Sequence, residues 1–231
     1  MSDWISFYDF KHSVIYVNAR HRDVHYRTIA TDIRAYVPSA AARVLDYGCG
    51  EATSAGLVAA ACGQLTLVEA APNVRATLKA RYEGNAKIAV LTPDEAAAQP
   101  PASFDLIVLH SVAQYLSGAE LERLLNIFRA LVKPDGFVII GDVVQPTLAA
   151  PAAAVALLRF GAGNGFFWAA VGGLLRIFVS DYLRLKSKVG LSHYTEAAML
   201  QKLKAAGFAA ERAPNNIGHN PWRMTFLAGP N

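Results

Sequence analysis

The chain has only two cysteines, Cys49 and Cys62, so no disulfide framework is expected and a reducing, cytoplasmic compartment fits. It also lacks an apolar run long enough to span a bilayer. The best stretch, residues 165–179, is too short and carries Arg176. Met1, Ser2, Asp3 and Trp4 open the chain without a basic start or a following apolar run, so a cleavable signal is not expected. No block of basic residues accompanies the net charge of +4, and nucleic-acid binding is therefore not expected. There is no internal repeat and no low-complexity linker. What is present in abundance is apolar: 53% of 231 residues, enough to fill one full core and to exclude disorder. One domain over residues 1–231 is expected.

The most informative segment is Val44, Leu45, Asp46, Tyr47, Gly48, Cys49 and Gly50. It reads as a short buried strand running into a glycine turn. A second strand, Leu65 to Val68, follows and ends on Glu69. Two glycines let the backbone turn tightly and approach a ligand closely. A carboxylate at the end of the next strand can accept hydrogen bonds from both hydroxyls of a ribose. The dinucleotide fingerprint wants a third glycine, where Thr53 stands here. Asp46 would also repel a pyrophosphate and attract a ligand carrying an ammonium and a sulfonium.

The D-x-G-x-G pattern of Asp46, Gly48 and Gly50 resembles the first motif of the class I S-adenosylmethionine (SAM) methyltransferases. Leu67, Val68 and Glu69 are similar to that family's second motif, Ser103 to Val108 to its fourth strand, and Leu131 to Phe137 to the L-K-P-G-G turn before its fifth. The resemblance covers about residues 23 to 142, with a weaker tail from 194 to 229. It departs at Glu51, where the family often has a small or hydroxyl residue. It implies SAM as cofactor and S-adenosylhomocysteine (SAH) as product. Asp46, Gly48, Gly50, Glu69, Ala70 and His110 would line the cofactor cleft, and either Asp94 or Glu95 would meet the adenine amine.

The pattern of elements agrees. Ile29, Ile33, Tyr36 and Val37 recur at helical spacing from Asp23, ended by Pro38. Strands are expected at 43–46, 65–68, 87–91, 104–109, 137–141, 208–212 and 224–227. Helices are expected through Leu57 to Cys62, from Pro72 toward Gly84, from the Ser117 and Glu120 capping box to Val132, and from Thr195 to Gly207. Such alternation predicts an α/β, Rossmann-like, seven-stranded, mostly parallel sheet with helices on both faces. The antiparallel final pair is implied by the resemblance.

Two segments stand outside this frame. Residues 1–37 are aromatic and basic and read as a helical arm or lid. Residues 144–190 form an apolar helical insertion after strand five. A helix from about Gly165 to Lys188 would carry a stripe of Phe167, Trp168, Val171 and Phe178, opposite Arg176 and Arg184. Three roles stay open for it: simple core packing, a lid burying that stripe, or peripheral membrane contact through residues 165–188.

Methyl transfer is an in-line displacement, and a base is needed only if the acceptor must lose a proton. His110 emerges from strand four and is the best base candidate, with Tyr115 nearby; the other reading of His110 is a hydrogen bond to the cofactor's backbone cradle. Asp142 ends strand five and could face the acceptor. His21 and His25 share a helix face, but no acidic or cysteine partner supports a metal, and a solvated face is expected. The loop of Asn215, Asn216, His219 and Asn220 could recognise substrate or simply turn the chain. Tyr182 and Lys186 form the Y-x-x-x-K of short-chain dehydrogenases, without that family's glycine turn. The expected activity is methyl transfer to a small or lipid-like apolar acceptor. A non-catalytic SAM-binding module and an NAD(P)-dependent oxidoreductase are the alternatives. Oligomeric state is not legible.

Overall fold

A computed structural model describes residues 3–11, 15–147, 150–177 and 191–231. A seven-stranded sheet runs in the order β3-β2-β1-β4-β5-β7-β6. The strands are β1 (Arg43–Tyr47), β2 (Gln64–Val68), β3 (Ile88–Leu91), β4 (Phe104–His110), β5 (Val132–Val143), β6 (Phe208–Arg212) and β7 (Met224–Pro230). The first five are parallel, and β7 lies antiparallel between β5 and β6. The strand order reverses between β1 and β4, where the carboxyl ends of the strands open a crevice.

The helices are α1 (Asp3–Lys11), α2 (Ala19–Ala35), α3 (Ala55–Ala59), α4 (Pro72–Arg81), α5 (Pro93–Ala97), α6 (Gly118–Leu131), α7 (Ala150–Asn164), α8 (Phe167–Ile177) and α9 (Glu196–Ala205). Strand alternation sorts the core into two layers. Leu106 and Val108 of β4 join Ile33, Val58, Leu67 and Leu78 under α2, α3 and α4. Ile107 and Leu109 join Leu121, Leu125, Phe128, Met199 and Leu203 under α6 and α9. Each such fully buried side chain contributes about 1.5–3 kcal/mol. The capping box of Ser117 and Glu120 opens α6 and the Thr195 side chain caps α9, as their sequences predict.

Several boundaries differ from expectation. Helix α2 begins at Ala19 rather than Asp23, because the Asn18 side chain accepts the His21 amide at 2.8 Å and starts the helix earlier. Helix α3 ends at Ala59, short of Cys62, since Gly63 and Gln64 must reach back to the Ala42 carbonyl. A second capping box, Thr92 with Glu95, opens the short helix α5, which the sequence reading left without structure.

The insertion differs most. Helix α7 was not foreseen, and Gly165 at φ +75° separates it from α8. The expected lid register is overturned: Trp168 is 81% exposed and Phe167 37%. Phe166 and Ala170 turn inward instead. Phe166 stacks on His21, and Gly173 abuts Val17 so closely that no side chain fits there. Those contacts set the rotation of α8. Residues 178–190, with Phe178, Tyr182, Arg184, Lys186 and Lys188, lie outside the described residues.

Candidate active site

The crevice has two sides. On one, β1 runs into the glycine turn, whose Gly48 and Cys49 amides both donate to the Val68 carbonyl, at 2.7 and 3.2 Å. Gly48 and Gly50 hold φ +72° and +59°, and both are spatially confined. A Cβ on Gly48 would sit 2.5 Å from Val112 Cγ2, and one on Gly50 2.7 Å from Tyr26 Oη. Glu69 closes the turn from β2. Its Oε2 accepts the Gly50 amide at 2.9 Å and its Oε1 the Ala71 amide at 2.8 Å. Each oxygen keeps a lone pair for a ligand hydroxyl. Arg75 holds the carbonyls of Glu69 and Ala70, at 2.7 and 3.0 Å, which fixes the exit of the chain.

Two acids, Glu69 buried and Asp46 half-buried, thus share a crevice wall. Burial pushes the Glu69 carboxyl up. Burial, and then repulsion from Glu69, pushes Asp46 up to about 7. Such a site favours a cationic ligand, which would relieve both costs. Along the same edge, Glu95 gives its carboxylate to the Thr92 amide at 2.7 Å. The neighbouring Asp94 has no such duty and lies close enough to Tyr47 to push its phenol pKa up, after burial.

The amino-terminal arm closes on this side. Tyr26 of α2 accepts the Glu51 amide at 2.9 Å, and Tyr16 donates to Tyr26 at 2.9 Å. Helix α1 bridges the crevice mouth. Asp9 accepts the backbone and side-chain amides of Asn73, at 2.6 and 3.0 Å. Trp4 packs 4.6 Å from Tyr115, and Tyr8 donates to Tyr115 Oη at 2.8 Å. Tyr115 therefore holds the arm down.

On the other side stand the ends of β4 and β5. Gly141 pairs with His110 and cannot carry a side chain, because its Cβ would lie 2.9 Å from the His110 ring. His110 is buried, and Nε2 donates to the Ile217 carbonyl at 3.2 Å in the tautomer this bond selects. The lone pair of the neutral ring is then on Nδ1. Burial holds the His110 pKa below the ordinary imidazole value, despite Asp142 and the Ile217 bond. Ser111 and Asp142 both sit at positive φ, +57° and +62°, a strain that marks functional sites.

A network fixes these two residues. Ser111 Oγ and Arg223 both donate to Asp142 Oδ2 at 2.5 Å, and Arg223 also reaches Gln114 Oε1 at 3.2 Å. Asn216 braces the Asp142 amide and accepts from Thr225. Burial pushes Asp142 up, but Arg223, His110 and the Ser111 bond together outweigh it and hold it ionised.

Above His110 lies a cluster that the sequence reading had put in solvent. His21 is only 5% exposed and stacks 5.0 Å from Phe166. His25 and His219 stand 6.0 and 6.3 Å from it, and 5.9 Å from each other. His219 stacks on Phe160 at 4.4 Å. The α7–α8 hairpin covers this face of α2, and its arrival turns a solvated face into a buried one. Among the described residues, no group of three or more His, Cys, Asp or Glu could hold a metal ion.

The structure thus brings Asp46, Gly48, Gly50, Glu69 and Ala70 together, with His110 beyond them and Tyr115 under the arm. Tyr26, Gln114 and Arg223 join the site without any signal in the sequence: each is an ordinary residue on a helix or loop.

Residues 45–140 match a family model described as a methyltransferase domain. No curated protein matches the sequence. Among solved structures, the chain is similar to DhpI in complex with SAH, at 13% identity over 98% of this chain and 95% of that one, with a TM-score of 0.60. It is similar to magnesium protoporphyrin IX methyltransferase of Synechocystis PCC 6803 with bound SAH, at 16% identity, 91% and 86% coverage and a TM-score of 0.57. Mitomycin 7-O-methyltransferase aligns at 19% identity with a TM-score of 0.63, over 99% of this chain and 61% of its own length. At these identities the likeness is one of fold.

Proposed function

We propose, from the match of residues 45–140 to a methyltransferase domain, that the chain transfers a methyl group from SAM to a small or lipid-like apolar acceptor. The observation that carries this is a pair of acids, half-buried Asp46 and buried Glu69, around a glycine turn that tolerates no side chain. The residues present fit the cofactor. Glu69 holds the ribose hydroxyls through its free lone pairs. Asp46 meets the cationic end. Gly48 and Gly50 allow the close approach, and the main chain at Ala70 borders the adenine. Asp94 takes the adenine amine, since Glu95 is spent on its capping box. When bound, SAM supplies an electrophilic methyl on a sulfonium.

His110, whose Nε2 bond leaves the lone pair of the neutral ring on Nδ1, takes the proton of an acceptor that must lose one. Asp142, Ser111 and Arg223 fix the floor beside it. Helix α1 and Tyr115 exclude water from the cofactor side, where a cation and two acids interact most strongly in a low dielectric. Lid and membrane roles divide between the two faces of the insertion. Phe160 and Phe166 face the site, while Phe167, Trp168 and Leu175 are exposed and meet a lipid surface from the cytoplasmic side. Among the described residues, no helix is long and apolar enough to cross a membrane.

Calorimetry tests the reading. SAM and SAH are expected to bind and NAD not to. Binding of NAD without SAM would reject it. SAM binding without turnover on any acceptor would leave the non-catalytic module.

A further inference from the structure

Four histidines converge beyond the methyl-donor side, and most of their ring nitrogens have no partner among the described residues. His21 Nδ1 accepts the Val17 amide at 3.3 Å, which places the proton on Nε2. That Nε2–H is fully buried and meets no acceptor among the described residues. Leaving such a donor unpaired costs the desolvation of the N–H with no bond in return. The rings of His25 and His219 make no hydrogen bond to the described residues; they make ring contacts with His21, Tyr16, Tyr26, Phe160 and each other. His110 adjoins this group through Gly218, whose Cβ position lies 3.6 Å from His110 Nε2. The three recognition histidines come from two elements, α2 and the β6–β7 loop, and the aromatic backing from α7 and the turn before α8.

Resting on the function proposed above, we propose that His21, His25 and His219, with Phe160 as a stacking ring, form the recognition wall of the acceptor site. The acceptor is an uncharged aromatic ring bearing oxygen substituents, of the phenol or hydroquinone class. An anionic acceptor would want a cation, but Arg223 is committed to Asp142 and the histidines are uncharged near neutrality. Burial holds His21 near about 4 and His25 near about 3, and burial lowers His219 also. A purely aliphatic acceptor would leave the ring nitrogens unpaired in a drier site. A flat ring with oxygens at its edge satisfies both demands. Its faces stack on aromatic walls, and its oxygens accept from the His21 Nε2–H and exchange hydrogen bonds with His25 and His219. The oxygen that reaches His110 gives its proton to Nδ1 and forms a bond to the methyl carbon. The carbon–sulfur bond breaks, and its electron pair remains on sulfur as a thioether.

The test uses the full chain saturated with SAH and reads binding by calorimetry. Hydroquinone is the probe, and toluene and a linear alkanol are the controls. Hydroquinone is expected to bind and the controls at least about tenfold more weakly. His25→Phe and His219→Phe are each expected to weaken hydroquinone about tenfold, with SAH affinity and melting temperature unchanged. If wild-type protein binds SAH but binds hydroquinone no better than the controls, the acceptor class is wrong while the cofactor reading stands. Failure to bind SAH overturns the underlying reading and this one with it. Stoichiometric zinc binding that both variants abolish would show a metal site and overturn the proposal.

Discussion

The two sides of the crevice are built on different principles. The cofactor side is local and made of backbone. Gly48, Gly50, Val68, Glu69 and Ala71 lie within two consecutive strand ends and bond mainly through main-chain amides. The proposed acceptor side is assembled from parts distant in sequence: His21 and His25 of α2, His110 of β4, Asp142 of β5, Phe160 of α7, and Asn216, His219 and Arg223 before β7. Its bonds run through side chains, to one another and to main-chain groups of other elements. A site of backbone and glycine angles recognises a constant ligand. One of side chains on separate elements can be changed residue by residue without disturbing the first.

If that division is real, a change on one side should leave the other's binding intact. The largest effect is expected from His110→Gln. With a phenolic acceptor, kcat should fall by about 10²- to 10⁴-fold, the usual range for a lost general base, while SAM affinity stays within about twofold. The wild-type rate should fall on the acid side as His110 gains a proton. Because burial lowers its pKa, that fall lies below the ordinary imidazole range. A loss of SAM affinity matching the loss of rate would make His110 part of the cofactor cradle, and the division would fail there.

Glu69→Ala comes next. It should weaken SAM binding by about 2–4 kcal/mol, through lost charge-assisted bonds to the ribose, with acceptor binding preserved. Glu69 also ties the Gly50 and Ala71 amides, so part of this loss belongs to a loosened turn. Glu69→Gln separates the parts, since an amide oxygen can still accept one of those bonds. Unchanged SAM affinity in folded Glu69→Ala would place the ribose elsewhere.

A smaller effect is tied to pH. With Asp46 at about 7, SAM affinity should drop about tenfold from pH 8 to pH 6 as a proton competes with the cation. Asp46→Asn should remove that dependence. The folded pKa lies above the unfolded one, so the folded state holds the extra proton. Stability of the ligand-free protein should therefore decline as pH rises from about 4 to about 7. Asp46→Asn should flatten this decline and raise Tm at pH 8. A ligand-free Tm that climbs over that interval in wild type, and not in Asp46→Asn, would mean that Asp46 is stabilised as an anion.

The same division explains what was legible in the sequence. Glycines at positive φ and an acid at a strand end leave a local pattern, so Asp46, Gly48, Gly50 and Glu69 could be named from residue order. Periodicity and caps likewise place α6, α9 and the strands other than β5 to within a few residues, while β5 already begins at Val132, ahead of the expected start at Phe137. Burial of His21 could not be read, because it depends on α7, a helix without polar contrast whose alanines give no face. Arg223 and Gln114 become partners only when β7 lies beside β5 and the turn after β4 folds toward it. The rotation of α8 was misread for a related reason. Its stripe of large apolar residues was expected to face inward, but the small residues Ala170 and Gly173 allow the closest approach to the arm.

That rotation gives the smallest expected effect and the one that probes the rim of the acceptor side. Trp168 and Leu175 are exposed on α8, at 81% and 69%, so they contribute little to folding. Trp168→Ser with Leu175→Ser should change stability by no more than about 0.5 kcal/mol per site, as at other surface positions. If the face merely packs on an unseen part of the core, the double variant should instead lose several kcal/mol, because large-to-small changes in a core cost about 2–5 kcal/mol each. Urea unfolding separates these outcomes. The same variant should lose flotation with anionic vesicles while keeping SAH affinity and hydroquinone binding, since Phe160 and Phe166 occupy the opposite face. Wild-type protein that never floats with such vesicles would remove the lipid role from α8. The insertion would then serve the acceptor through its inner face alone.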